Sequence, residues 1–307
     1  LEFHVKIAIT GASGLIGSAL SQSLATDGHE VLPVVRREVA DGESGVRWDP
    51  RAGTIDAAAL EGVEAVVHLA GAGIGDKRWS DSYKQEILES RTRGTDLIAR
   101  TIASLDQKPK VMVSGSAIGF YGDTGDTAVD ESAPAGNDFL ASACVDWEVA
   151  SVPAAEAGIR VPVLRTGIVL TPRGGALAKL LPLFRFCVGG RMGSGRQWMS
   201  WISLDDEIGA IRWLLDNDVA GPVNATAPSP VTNRELTKAL GASLHRPTFL
   251  PVPSFGPQLL LGRELADALL FTSGRITPKV LTDGGYEFQH PTIDAAFAAL
   301  LARPAAA

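Results

Sequence analysis

Three glycines, Gly11, Gly14 and Gly17, stand between an apolar run and a helical pattern, and they constrain this chain more than any other stretch. Val5-Lys6-Ile7-Ala8-Ile9-Thr10 has the β-branched and apolar character of a buried strand. Leu15, Ile16, Ala19, Leu20 and Leu24 then recur at helical spacing. The sequence therefore reads strand, G-x-x-G-x-x-G turn, helix. Glycines let the backbone turn sharply and come close to a diphosphate, while the helix N-terminus offers that anion free N–H groups and a positive dipole end. Small residues also serve plain helix-on-sheet packing, so the turn needs support from the rest of the chain.

With 307 residues, 45% of them hydrophobic, the chain can bury a sizeable core in one large domain or two unequal ones. A formal net charge of -7 argues against nucleic acid or an anionic membrane as a general partner, so any phosphate site must be local. Cys144 and Cys187 lack metal-ligand spacing and read as buried thiols of a reducing, cytoplasmic compartment. No apolar run reaches the roughly 18 residues of a membrane span, and Leu1-Glu2-Phe3-His4 has no signal-peptide pattern. A start without Met leaves room for an upstream segment.

Further strands support the turn. Glu30-Val31-Leu32-Pro33-Val34-Val35 reads as a second buried strand that ends on Arg36 and Arg37. Arginine at that place pairs with a 2′-phosphate where an acidic residue would take a ribose hydroxyl; two solvated charges are the plainer reading. Glu64-Ala65-Val66-Val67-His68 ends on the small residues Leu69, Ala70 and Gly71, which leave room beside the glycine turn. His68 lies inside this apolar run and reads as a satisfied core histidine. A helix is expected over residues 80–105, with Glu86 and Arg91 near the proposed edge.

Lys110-Val111-Met112-Val113-Ser114-Gly115-Ser116 is a strand closing in hydroxyls, where open parallel sheets bind ligands. A helix over residues 139–157 and a strand over 160–165 follow, and Thr166 to Leu170 run into a loop. Beyond about Pro172, Pro- and Gly-rich segments replace the regular alternation. The stretch from Gly189 to Gln197, with Arg191 and Arg196 amid glycines, reads equally as a surface loop or an anion clamp. The expected architecture is α/β: a doubly wound parallel sheet over residues 1–171 and a smaller C-terminal α+β substrate lobe over 172–307, with residues near 204–225 returning to the first unit. A short strand is expected at 248–252 and helices at 255–270 and 292–301.

Taken together, the glycine turn, His68-Leu69-Ala70-Gly71, Arg93-Gly94-Thr95 and Ser114-Gly115-Ser116 with Tyr121-Gly122 resemble the extended short-chain dehydrogenase/reductase superfamily. Arg78-Trp79, Ser90-Arg91, Asp146-Trp147-Glu148, Gly193-Ser194-Gly195 with Trp201-Ile202, and Thr232-Asn233-Arg234-Glu235 narrow the resemblance to an atypical epimerase/dehydratase branch, sometimes labelled cell-division inhibitor. The resemblance implies a Rossmann-type sheet with a bound dinucleotide, and Arg36 and Arg37, read as partners of a 2′-phosphate, select NADP(H) over NAD(H). It also implies cofactor contacts at Gly11, Ser13, Gly14, Leu15, Ile16, Gly17, Arg36, Arg37, Leu69, Ala70, Gly71, Glu86, Arg91, Ser114 and the loop near Val169.

That superfamily exchanges protons through a Tyr-x-x-x-Lys pair, in which lysine lowers the tyrosine pKa. Here Tyr83, Tyr121 and Tyr286 are followed four residues later by Ile87, Gly125 and His290, and no lysine occurs between Lys110 and Lys179. The usual acid/base is absent. Ser116 matches the substrate-orienting hydroxyl, and Tyr121 is the phenol nearest to it in sequence; packing under the loop is the plainer role for that tyrosine. Two functions follow as expectations. One is an epimerase or oxidoreductase with non-standard acid/base groups, acting on a small polar substrate such as a sugar nucleotide. The other is an NADP(H)-binding regulatory or sensor protein with little turnover, working through a protein partner or a second copy of the chain.

Overall fold

The computed structural model describes residues 4–40 and 42–302; of the opening Leu1-Glu2-Phe3-His4, only His4 lies among them. The first half of the chain alternates β1 (Lys6–Thr10), α1 (Leu15–Thr26), β2 (Glu30–Val35), β3 (Val46–Asp49), β4 (Thr54–Ile55), β5 (Ala65–His68), α2 (Asp81–Ala103) and β6 (Val111–Ala117). It continues with β7 (Ala128–Val129), α3 (Phe139–Val149), α4 (Val152–Glu156), β8 (Pro162–Thr166), β9 (Ile168–Thr171), α5 (Gly175–Arg185), β10 (Trp198–Met199), β11 (Trp201–Ser203) and α6 (Leu204–Asp216). The last part holds β12 (Gly221–Ala225), β13 (Val231–Thr232), α7 (Asn233–Leu244), α8 (Phe255–Leu261), α9 (Arg263–Ala266), β14 (Arg275–Ile276), α10 (Lys279–Asp283) and α11 (Ile293–Leu300).

Eight strands form one sheet in the order β12-β8-β6-β5-β1-β2-β3-β4. Every pairing in it is parallel except β3 with β4. From β1 the chain first winds outward through β2 and β3, then returns to β5 and winds the other way. The reversal opens a crevice beyond the C-terminal ends of β1 and β5. Alternation along the buried strands divides the core. Ile7, Ile9, Val67 and Val113 pack with Leu20 and Leu24 of α1 and Ile208, Ile211 and Leu214 of α6. Ala8, Val66 and Met112 take the other face with Ile98 and Ile102 of α2. Burying each such Leu or Ile stabilises by about 1.5–3 kcal/mol before the entropy of ordering is counted.

A third core cluster holds Leu177, Leu181, Phe184, Trp201, Leu236, Leu240 and Phe297. Thr232 caps α7, and Thr232 and Glu235 form the reciprocal pair of hydrogen bonds that the spacing predicts. The expected helix over 139–157 is two helices: Pro153 opens α4, where its missing N–H and fixed φ are tolerated. The expected strand at 248–252 reduces to a single bridge between Met192 and Val252. Residues 255–270 break at Gly262 (φ 88°) into α8 and α9, and a π-turn, Asp267–Phe271, follows. Cys144 is buried as expected, but Cys187 is exposed and holds a left-handed φ of 60° after α5. Among the described residues, no helix is long and apolar enough to cross a membrane.

Candidate active site

The glycine turn meets the end of β5 so closely that side chains are excluded. Gly11 has a φ of 68°, and a Cβ there would stand 3.0 Å from the backbone of Leu69. At Gly17 a Cβ would stand 2.2 Å from the Gly11 carbonyl oxygen, so α1 could not pack back on the turn. Helix α1 starts from Gly14 with no side-chain cap and no acidic residue in its first turn, which leaves its dipole end uncompensated. Ser13 beside it is exposed. The crevice floor is fixed by Thr10, whose hydroxyl accepts from the amides of Leu69 (3.0 Å) and Ala70 (3.2 Å). His68 joins that hydroxyl at 2.8 Å and Thr95 at 2.9 Å. Burial pushes the His68 pKa down to about 4, so a neutral core histidine supports the crevice.

The other residues implied by the resemblance divide sharply. Arg36 is exposed at the end of β2 and has no partner among the described residues. Arg37 differs. Its guanidinium donates to both carboxylate oxygens of Glu43 and to the Glu38 carbonyl, and it holds the Glu43 carboxyl down at about 2. Glu86 lies 3.6 Å from Arg51 and 3.5 Å from Lys77. Arg91 is buried; it donates to the Ala72 and Ile87 carbonyls and stacks 4.9 Å from Trp147. It thereby buckles α2 to the turn after Gly71. Ile16 and Leu69 are partly buried against the core, Leu15 packs on Gly174, and Gly71 is exposed. Val169 is not in a loop: it pairs with Ile202 inside β9 and is half-buried. Ser114 is fully buried, and its hydroxyl has no partner among the described residues. The close glycine turn, the uncapped α1 and Arg36, without a partner among the described residues, fit a phosphorylated dinucleotide.

Beyond the end of β6 the polar groups are spent on one another. Ser116 Oγ donates to Glu148 Oε1 at 2.7 Å. Arg165, at the end of β8, donates through Nε to the same oxygen at 2.8 Å and through Nη2 to Oε2 at 2.9 Å. Its third arm, Nη1, donates to Tyr121 Oη at 2.8 Å, and that hydroxyl donates on to Asn224 Oδ1 at 2.7 Å. The guanidinium also lies 3.4 Å over the Phe120 ring. Tyr121 is therefore buried with its hydroxyl engaged on both sides. Burial raises its pKa, the opposite of what a neutral-pH proton carrier needs. Its place is to hold Arg165.

Sequence reading gave no role to Glu148 or Arg165. The signal was an arginine closing an otherwise apolar strand, because a buried cation requires a carboxylate nearby. Beside them, Cys144 is pushed up to about 11, chiefly by burial, and so stays a thiol. A deeper carboxyl, Glu207, accepts from Thr166 at 2.8 Å and is raised to about 8 by burial. In the Gly189 to Gln197 stretch, Arg191 is turned onto the carbonyls of Gly193 and Ser194, whereas Arg196 is exposed.

Comparison with known proteins places these features. Residues 7–226 match the model of the NAD dependent epimerase/dehydratase family, and residues 252–300 match a domain of unknown function, DUF1731. An epimerase family protein of Mycobacterium bovis is 44% identical over 302 residues, covering 98% of this chain and 99% of its own length. The crystal structure of the human epimerase family protein SDR39U1 with NADPH superposes with a TM-score of 0.87 at 32% identity, covering 96% of this chain and 98% of that one. A Thermus thermophilus UDP-glucose 4-epimerase in complex with NAD shares the fold at 19% identity and a TM-score of 0.73, covering 95% and 96% of the two chains. This chain belongs to the NAD dependent epimerase/dehydratase family.

Proposed function

We propose that this chain binds NADP(H) and acts as an epimerase or oxidoreductase on a small polar substrate, with Ser116 and Glu148 in place of the missing Tyr-x-x-x-Lys pair. The observation that carries the reading is the 2.7 Å hydrogen bond from Ser116 to a carboxylate that Arg165 grips with two donors. The Gly11 to Gly17 turn would hold the diphosphate, and Arg36 would meet a 2′-phosphate. NADPH in the human relative supports that choice. When bound, the nicotinamide supplies hydride exchange at carbon.

The chain's own residues supply the proton path. A substrate hydroxyl placed on Ser116 Oγ gives up its proton to that oxygen as the serine's own proton passes to Glu148 Oε1. In the reverse direction Glu148 returns a proton to Ser116, which protonates the substrate oxygen. Arg165 grips the carboxylate rather than the substrate and acts as a positioning residue: its Nε and Nη2 fork fixes the carboxylate, and Tyr121 and Asn224 fix the fork.

One observation favours the second reading, a binding protein with little turnover. The Glu148 carboxylate already accepts two hydrogen bonds from Arg165 and one from Ser116, so its acceptor sites are largely taken before a substrate arrives. The experiment is a panel of carbonyl compounds and sugar nucleotides incubated with NADPH or NADP+, followed by both cofactor absorbance and product analysis, because epimerisation leaves absorbance unchanged. Turnover that falls about 100-fold in E148Q, with NADPH affinity retained, supports the enzyme. Absence of any product across the panel favours the binding protein.

A further inference from the structure

We infer that Arg173, carried by the second lobe, is a diphosphate-binding residue of the dinucleotide site. The inference rests on the dinucleotide reading above and adds a contact from outside the first unit. Antiparallel bridges join Leu170 to Gly175 and Thr171 to Gly174, so the chain reverses between them with Pro172 and Arg173 at the tip. Proline fixes φ at its position, and the Arg173 amide donates to Thr171 Oγ1 at 3.3 Å. The tip is thus held from both sides.

It is also docked. A Cβ at Gly174 would stand 2.9 Å from Leu15 Cδ1, and Gly175, with φ 63°, lies beside the same side chain. Leu15 is the first residue of α1. The turn therefore sits on the first turn of the helix, and Arg173 lines one cleft with Ser13, Gly14, Leu15, Ser18 and Gln22. Among the described residues, no carboxylate lines that cleft.

The guanidinium is exposed and has no partner among the described residues, unlike the arginines Arg37, Arg91, Arg165 and Arg191. An unpaired guanidinium carried on a held turn, in the same cleft as the uncapped start of α1, suits a ligand with two adjacent phosphate charges. Arg36 stands at the end of β2, a different strand, so the two cations meet different phosphates. The β9 to α5 turn belongs to the segment that carries β9 onto β11, so the contact would join the second lobe to the bound dinucleotide.

Binding of NADPH and of NADH to the full chain, measured separately by calorimetry, tests the assignment. Both nucleotides carry the diphosphate and only NADPH carries the 2′-phosphate. In R173A both dissociation constants should rise together, by about tenfold, with the melting temperature unchanged because the side chain is exposed. R173K should recover part of the loss. Unchanged affinity for both nucleotides in R173A overturns the proposal. So does a loss confined to NADPH, which would assign Arg173 to the 2′-phosphate. If the wild-type chain binds neither nucleotide, the dinucleotide reading falls and takes the proposal with it; if the wild type binds and R173A matches it, the proposal falls alone.

Discussion

The two ends of the crevice treat their polar groups in opposite ways. At the glycine turn, α1 begins without a cap, and Arg36 and Arg173 have no partners among the described residues. At the end of β6, Ser116, Glu148, Arg165, Tyr121 and Asn224 satisfy one another in a continuous chain. Unpaired donors at a surface cost little, because water solvates them until a ligand arrives. A buried guanidinium has no such option and must be given a carboxylate. The glycine-turn end is thus open by construction, and the Ser116 end is closed on itself. In the proposed reaction a substrate at Ser116 would compete with Glu148 for the hydroxyl, so turnover would depend on how firmly Arg165 holds that carboxylate.

The largest effect that would separate the two ends is expected from Gly17. A methyl group there would lie 2.2 Å from the Gly11 carbonyl oxygen and 2.9 Å from Ala12 Cα, both backbone atoms that cannot rotate away. G17A should lower stability by about 3 kcal/mol and remove measurable dinucleotide binding. S116A, at the other end, should cost only about 1 kcal/mol and leave binding intact while abolishing turnover. Urea unfolding and nucleotide titration of the two variants would break the division if S116A lost binding and G17A kept it.

The same division explains what could be read without a structure. The turn was legible because its constraint is local and the small or hydroxyl-bearing strand ends at Leu69-Ala70-Gly71 and Ser114-Gly115-Ser116 supported it over plain helix-on-sheet packing. His68 was legible for a similar reason, since a lone histidine in an apolar run must find hydroxyl or carbonyl partners, here Thr10 and Thr95. Glu148 and Arg165 were not, because they stand 17 positions apart on α3 and β8, and they meet only where the β6–β8 pairing sets Arg165 beside Ser116 and α3 brings Glu148 to the same place. Tyr121 drew attention as a phenol near Ser116, and nothing in its own segment showed that Asn224 of β12 would take its hydroxyl. Arg37 and Arg36 are indistinguishable as neighbours; a glutamate six residues on separates them. Arg173 was hidden by the same rule, because the contact that positions it is with Leu15, far back in the chain.

Buried titratable groups give the two ends stability profiles of opposite slope. Under the glycine turn, His68 has a pKa near 4 against an ordinary value of 6.5. Between those values the unfolded chain takes up a proton that the folded chain refuses, so stability falls as pH drops from about 6.5 toward about 4. Beside Thr166, Glu207 has a pKa near 8 against an ordinary 4.5. There the folded chain keeps a proton that the unfolded chain releases, so stability falls as pH rises from about 4.5 toward about 8. Each group contributes a slope of up to about 1.4 kcal/mol per pH unit. Urea titrations across this range should show H68Q losing the acid-side slope and E207Q the alkaline-side slope, each read as a difference from wild type. A wild-type slope unchanged in E207Q would mean that this carboxyl ionises in the fold.

The smallest effect is the most discriminating, because it sets two adjacent arginines against each other. Arg36 has no partner among the described residues, whereas Arg37 is held by Glu43 in an exposed pair, and breaking that pair to reach a ligand would give back part of what the ligand supplies. An exposed cation on a phosphate contributes near the lower end of charged hydrogen bonds, so R36A should weaken NADPH about tenfold and leave NADH unchanged. R37A should change NADPH less than about threefold, since an exposed pair contributes little in either direction. If R37A is the more damaging, the Glu43 pair opens on binding and Arg37 serves the 2′-phosphate. E43Q then decides how: freeing Arg37 should tighten NADPH if the pair competes with the phosphate, and should leave it unchanged if Arg36 alone makes the contact. Equal losses of NADPH and NADH in R36A would place that arginine on a group common to both nucleotides, and the difference between the open and closed ends of the crevice would no longer account for a preference for the phosphorylated cofactor.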